Sequence, residues 1–448
     1  MKRIRNALFC IALLGASPHI LANPYMETLP NGLKVIVKED RRAPVVVSQI
    51  WYKAGSIDEF NGTTGVAHAL EHMMFKGTKK VPAGQFSKLI AAAGGRENAF
   101  TAQDYTAFFQ ELYKTRLPLA MQLESDRMKN LLLSDKAFSK EIQVVMEERR
   151  LRTTDQPHAL LYEKMMSVAF QENPYRRPVI GWMNDLRHLT VEDVRNWYHR
   201  WYAPNNATLV IVGDVSHEKV FALARKYYGK IRPSALPVRK PQDEPSQVGI
   251  KRIEVKAPAN LPYMLMAYHV PVLRNAESDV DPYALDVLAG VLDGYESARL
   301  DKALTRENPV AVSVGASYDD TGRGPGLFVI DATPAPGRNA ADVEAAIRTQ
   351  LGKVVKDGVT EEELKRVKAQ VMASHVFHRD SMFYQAMQIG QLESVGLSYK
   401  DMDVMLKKIG AVTAKEVQDV ARKYLVDDGL TVAVLDPQSE KGAVHAKQ

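Results

Sequence analysis

One stretch of this chain occurs twice, and the repetition limits the folds open to it. Leu189-Thr190-Val191-Glu192-Asp193-Val194 leads to Arg200-Trp201-Tyr202 and then to the apolar run Ala207 to Val212. Val412-Thr413-Ala414-Lys415-Glu416-Val417 leads to Lys423-Tyr424-Leu425 and then to Leu430 to Leu435. Thr190 and Thr413 stand 223 positions apart, and the offset holds without a gap through both runs. In each copy a threonine precedes a helix, an acidic residue follows two or three positions later, and the helix feeds a strand. A self-match at half the chain length implies two homologous halves.

The halves meet at residues 233–249. Pro233, Pro237, Pro241 and Pro245 fall there, with mixed charge and few large apolar residues, so the stretch reads as an exposed linker. The expected division is a leader at 1–22, a first domain at 23–232, the linker, and a second domain at 250–448.

The leader reads as a secretory signal peptide. Lys2, Arg3 and Arg5 form a basic start, Ala7 to Gly15 is apolar but too short to span a bilayer, and Ile20-Leu21-Ala22 offers a cleavage site. The expected location is therefore the periplasm. Cys10, the only cysteine, lies in this segment without a lipobox-like sequence before it. A mature chain without cysteine forms no disulfide and must hold any metal with histidine and carboxylate. Removing the three cations lowers the net charge from +6 to +3, and no basic stripe with interleaved aromatics argues for nucleic acid. No later apolar run is long enough to cross a membrane.

Within the first half, residues 32–38 and 45–53 alternate as strands do. Thr64 is expected to cap a helix that runs to about Lys76, with Gly77 as its stop. A second helix is expected at 85–93, a hairpin at 97–101 and 105–112, and further helices at 117–132 and 135–151. The second half repeats the mix. The fold class is α+β, with a mainly antiparallel sheet in each half and helices on one face.

The expected first helix carries His68-Ala69-Leu70-Glu71-His72. Imidazoles four apart lie one turn apart on the same face and can reach one metal ion. Glu71 projects beside them, placed to accept a proton from water. The order H-x-x-E-H is a known zinc-peptidase form. The competing reading is a solvated helix face.

Zinc held by two histidines needs at least one more protein ligand. Residues 139–151 offer Glu141, Glu147 and Glu148. Glu141 and Glu148 are seven apart and share a face beside Ile142, Val145 and Met146; Glu147 points away, toward solvent. Spacing alone leaves Glu141 and Glu148 both open, and exposed glutamates paired with Arg149 and Arg150 remain the plainer alternative.

Four segments together resemble the pitrilysin and mitochondrial-processing-peptidase family of inverzincins: Gly65 to Thr78, Gly94 to Thr101, Glu141 to Glu148, and Asn173 to Gly181. The resemblance covers nearly the whole mature chain, including the duplication. It implies one Zn²⁺ per chain held by His68, His72 and Glu148, with Glu71 as general base and Glu141 orienting a ligand histidine by hydrogen bond. It implies that Asn98 and Ala99 lie on an edge strand that pairs with an extended substrate, and that Arg306 contacts substrate. The implied architecture is half of a clam-shell, closed in short-chain members by a second, homologous subunit.

The chain departs from that pattern at one point. Family members often carry a tyrosine where the run Arg306 to Val314 has Val312, and valine cannot donate a hydrogen bond to a developing oxyanion. A partner carrying the tyrosine could complete the site, which favours a heterodimer over a homodimer. The expected activity is that of a zinc endopeptidase acting on peptides or unfolded polypeptides; the alternative is a non-catalytic or weakly active subunit of a peptidase-like assembly. Gly322 to Gly326 reads as a hairpin turn rather than a phosphate loop. His375 and His378 lack an acidic cluster and are not expected to form a second metal site.

Overall fold

The computed structural model describes residues 24–439 other than Asn308 and Arg379. The leader reading and Cys10 lie outside the described residues, as do the side chains of His375 and His378. Among the described residues, eleven strands form two sheets. The first contains β1 (Tyr25–Thr28), β2 (Lys34–Glu39), β3 (Val45–Tyr52), β4 (Arg96–Thr101), β5 (Thr106–Tyr113) and β6 (Ala207–Gly213) in the order β1-β2-β6-β3-β5-β4. The second contains β7 (Lys251–Pro258), β8 (Tyr263–Val270), β9 (Ala311–Tyr318), β10 (Gly326–Pro334) and β11 (Leu430–Gln438) in the order β7-β11-β8-β10-β9. Residues 233–248, between the sheets, carry neither helix nor strand.

The repeated sequence explains the repeated topology. The repeated strands, β6 and β11, each lie between a parallel neighbour and an antiparallel one: β2 and β3 for the first, β7 and β8 for the second. The helices that feed them, Val191–Trp201 and Ala414–Tyr424, begin with matching caps. Thr190 Oγ1 accepts the Asp193 N–H while Asp193 accepts the Thr190 N–H; Thr413 and Glu416 do the same.

Both repeated strands are apolar on both faces, so both faces need a cover. In β6, Leu209 and Ile211 face the first half's own helices, while Val210 and Val212 face the other way with Ile36, Val47 and Trp51. That second face is covered by a helix from the second half, Met382–Val395, through Ala386 and Ile389. Gly390 lies flat on the Trp51 indole, where a Cβ would stand 2.0 Å from a ring atom. The exchange is reciprocal. Pro157–Ala169, from the first half, lays Leu161, Met165 and Ala169 on Leu265, Ala267, Ala433 and Leu435 of the second sheet. Burying each large side chain contributes roughly 1.5–3 kcal/mol. Each half's own helices thus keep to one face of its sheet, and each sheet depends on the other half for its second face.

Candidate metal centre

The helix bearing the two histidines spans Val66–Met73. Val66, Ala69, Leu70 and Met73 turn inward at helical spacing, which leaves His68, Glu71 and His72 on the opposite face. Its start differs from the expected one. The residue before the helix is Gly65, at φ +87°, and Thr64 does not cap it. Thr64 Oγ1 instead donates to Asp185 at 2.6 Å and accepts the Trp182 N–H at 2.9 Å. Gly65 sits so close to the 180–181 backbone that a Cβ would meet the Ile180 carbonyl oxygen at 2.7 Å, so the chain is pulled sideways where a cap would form. The helix also stops at Met73, earlier than expected; the chain continues in turns to Gly77, at φ +92°.

Glu148 comes from the helix Asp135–Arg149, held across from the histidines by buried Ile142, Val145 and Met146. Its Oε2 lies 3.2 Å from His72 Nε2 and its Oε1 lies 3.9 Å from His68 Nε2. A tetrahedral zinc with ordinary Zn–N and Zn–O bonds places its ligand atoms about 3.4 Å apart, so this donor set fits such an ion. The other side of the His72 ring meets Glu141, with Nδ1 2.9 Å from Oε1; a neutral ring that donates there would keep its Nε2 lone pair for a metal. Glu141 Oε2 is held by Lys76 at 2.6 Å, and Glu148 Oε1 by Arg152 at 2.8 Å. Burial, helped by the charges on His72 and Arg152, pushes His68 down to about 3, so it stands neutral, as a metal ligand must. Glu147 points out and pairs with Arg150.

Glu71 is not among the three converging donors. Its Oε2 accepts a hydrogen bond from Thr101 Oγ1 at 2.5 Å, which ties it to the end of β4. Burial raises its carboxyl above the ordinary range, and the Thr101 bond and His72 oppose that shift. β4 is the edge of the first sheet, bonded to β5 alone; Asn98 is exposed on it, opposite Phe109, and Ala99 is opposite Phe108. Arg306 is not brought to this cluster. Its partners are Asp301 at 2.8 Å and Glu296 at 3.3 Å, within the second half. Val312 is 56% exposed on β9, the edge of the second sheet, and is the extra residue where the pairing with β10 shifts.

Sequence reasoning missed Lys76, Thr101, Arg152 and, behind the helix, Glu59. Arg152 lies four residues from Glu148, the group it supports, a spacing that was readable; Lys76 reaches Glu141 from 65 residues away, and Thr101 and Glu59 likewise arrive by chain reversal, so these three left no local signal. It also missed Glu39, His217 and Glu218, which lie together elsewhere. There Glu39 takes His217 Nδ1 at 2.8 Å and Glu218 takes Nε2 at 3.1 Å. The two carboxylates flank opposite sides of the ring, an ion-pair arrangement rather than a converging one. Gly322 to Gly326 does connect β9 and β10 as a hairpin.

Two duplicated α+β units, with a His-His-Glu donor set on one of them, define a class of metallopeptidase scaffold. The family described as Insulinase (Peptidase family M16) matches residues 34–182, and that described as Peptidase M16 inactive domain matches residues 188–371. The chain is 32% identical to the zinc protease PqqE of Helicobacter pylori over 83% of this chain and 84% of that one. It is 27% identical to a probable mitochondrial-processing peptidase subunit beta of Arabidopsis thaliana over 95% and 81%. The crystal structure of a Helicobacter pylori protease superposes with a TM-score of 0.87 at 28% identity, over 93% of this chain and all of that one. The periplasmic protease PqqL of Escherichia coli superposes at 0.80 and 17% identity, and there this chain spans 48% of the longer protein. The chain belongs to the M16 peptidase family. No helix among the described residues is long and apolar enough to cross a membrane.

Proposed function

We propose that this chain is an exported zinc endopeptidase that hydrolyses peptides or unfolded polypeptides, with the catalytic centre in its 23–232 domain and the 250–448 domain completing one half of a chamber. The observation that carries the reading is the convergence of His68, His72 and Glu148 beside a carboxylate, Glu71, that is tied to an edge strand. When bound, zinc supplies Lewis acidity: it activates water and polarises the scissile carbonyl. Thr101 engages one oxygen of Glu71 and leaves the other to take a proton from water and return it to the leaving amine. Glu141, steadied by Lys76, keeps His72 in the tautomer that binds metal. The free edge of β4 offers main-chain hydrogen bonds to an extended substrate at Asn98 and Ala99. Export to the periplasm rests on the leader sequence at 1–22.

A second reading is favoured by Val312, exposed on the other edge strand where the family often has tyrosine. On that reading the chain is feeble alone and gains full activity from a homologous but different subunit. Loss of one transition-state donor costs about 10²–10³ in rate. The test is to purify the mature chain and assay a mixed peptide library with and without a co-expressed homologue. Full activity from the chain alone, with no gain from the homologue, would reject the heteromeric reading; no hydrolysis in either preparation would reject the peptidase reading.

A further inference from the structure

Asp58 and Glu59 are neighbours that reach opposite ways. Glu59 is 1% exposed and sits behind the histidine helix. Its Oε2 accepts the Gly65 N–H at 2.8 Å and its Oε1 accepts the Ala67 N–H at 2.9 Å. Asp58, also buried at its carboxylate, accepts both terminal nitrogens of Arg323 at 2.8 Å and Arg239 Nε at 2.6 Å. Arg323 belongs to the β9–β10 connection of the second half. Its N–H and that of Gly324 reach Tyr175 Oη at 3.0 and 2.9 Å, and Tyr175 donates to Asp104 at 2.7 Å. A Cβ on Gly324 would stand 2.6 Å from the Tyr175 ring, so only glycine lets the loop come this near.

We propose that Glu59 positions the zinc ligands by holding the first turn of the histidine helix, and that the second half, through Arg323 and Asp58, holds Glu59 in place. The proposal rests on the zinc reading above. A helix of eight residues is marginal on its own, and its first N–H groups have no partner within the helix. With Thr64 drawn to Asp185, Glu59 is the side chain that meets them. His68 follows Ala67 directly, so a slip of this turn moves His68 against His72 and Glu148. A misplacement of about 1 Å can cost on the order of 10²-fold in rate. The short 3-10 turn Ser56–Asp58, closed by the Glu59 N–H on the Ser56 carbonyl, makes the two carboxylates one rigid piece. Arg177 adds a bond from behind to the Glu59 carbonyl oxygen and another to Asn61 at 3.1 Å. The Asn173 to Gly181 segment thereby braces the approach to the helix.

The test uses the mature full chain with Glu59→Gln, Arg323→Met and both together. Glutamine keeps the volume but turns an amide N–H₂ toward one of the two donors, so one bond is lost whatever the charge on Glu59. Three quantities are measured: zinc affinity by chelator competition, the visible spectrum of the Co²⁺-loaded protein, and amide hydrogen exchange at Gly65 and Ala67 in metal-free protein. Glu59→Gln should weaken zinc binding by about 10–100-fold, shift the Co²⁺ bands and speed exchange at both amides. Arg323→Met should do the same more weakly, and the double variant should be no worse than Glu59→Gln alone. Ile347→Val, which loosens the second core, should leave all three unchanged. If Glu59→Gln does not fold, Glu59→Asp, which keeps the charge and shortens the reach, should show an intermediate loss. Wild-type affinity and bands in Glu59→Gln would overturn the proposal alone, and full additivity with Arg323→Met would overturn the role of the second half. A wild-type chain that takes up no zinc would overturn the zinc reading and this proposal together.

Discussion

Two helices hold the same place in the two halves and do different work. The histidine helix follows β3 and precedes the β4–β5 hairpin; Asp281–Asp293 follows β8 and precedes the β9–β10 hairpin. The first turns only part of its surface inward and keeps His68, Glu71 and His72 on the other side. The second buries Tyr283, Ala284, Leu285, Val287, Leu288, Val291 and Leu292 and contains no histidine. The scaffold sets where such a helix sits, and the side chains on one face decide whether the place presents candidate metal ligands or a core. The support differs in the same way. Charged groups brace the histidine helix and its donor set, Glu59 on the first N–H groups, Glu141 on His72, Lys76 on Glu141 and Arg152 on Glu148; the other helix packs mainly on apolar side chains, with polar bonds at its two ends through Asp281 and Asp293.

If the difference lies in that one face, changes there should act on chemistry before they act on folding. The largest effect is expected from Glu71→Gln. Peptide turnover should fall by about 10²–10⁴-fold while zinc content stays at the wild-type level, because Glu71 is tied to Thr101 and stands outside the donor set. Metal content and turnover read on one preparation would settle it; turnover that survives sinks the assignment of the base. Next comes Glu148→Gln, which should lose most bound zinc with little change in melting temperature, since the group is partly exposed. Glu141→Gln should retain zinc at an affinity lower by about 10–100-fold. Zinc titrations in which Glu141→Gln strips the metal and Glu148→Gln keeps it would reverse the two roles.

Much of this comparison was legible in sequence, and the parts that were not share a cause. The repeat around Thr190 and Thr413 foretold two sheets of matched topology, because caps, helix period and strand run are all local. The histidines and Glu71 were legible for the same reason. Glu148 could not be separated from Glu141 by spacing, since both lie on one face of one helix; the choice depends on which carboxylate the fold brings to Nε2 and which to Nδ1. Thr64 misled because its composition suits a cap, while a contact with Asp185, 121 residues away, claims its hydroxyl. The exchanged helices, with Gly390 on Trp51, are contacts of long sequence separation and had no local mark beyond the apolar character of both faces of β6 and β11. Arg306 was carried by resemblance alone; in the fold it pairs with Asp301 and Glu296.

The smallest effect sharpens the comparison where the halves agree. Thr190→Ala and Thr413→Ala remove equivalent caps, and each should cost about 1 kcal/mol of stability in chemical denaturation, with zinc affinity unchanged in both. A loss of metal from Thr190→Ala alone would mean that the first copy of the repeat supports the metal centre and the second does not.

The central claim is that one half carries a metal centre and the other does not. Elemental analysis of the purified mature chain, before and after dialysis against a chelator and after zinc is restored, tests it most directly. The account predicts about one zinc per chain, lost on chelation and regained on return, and absent from a His68→Ala variant that keeps the wild-type fold. A chain that binds no zinc after reconstitution, or that keeps a full equivalent in His68→Ala, would contradict it.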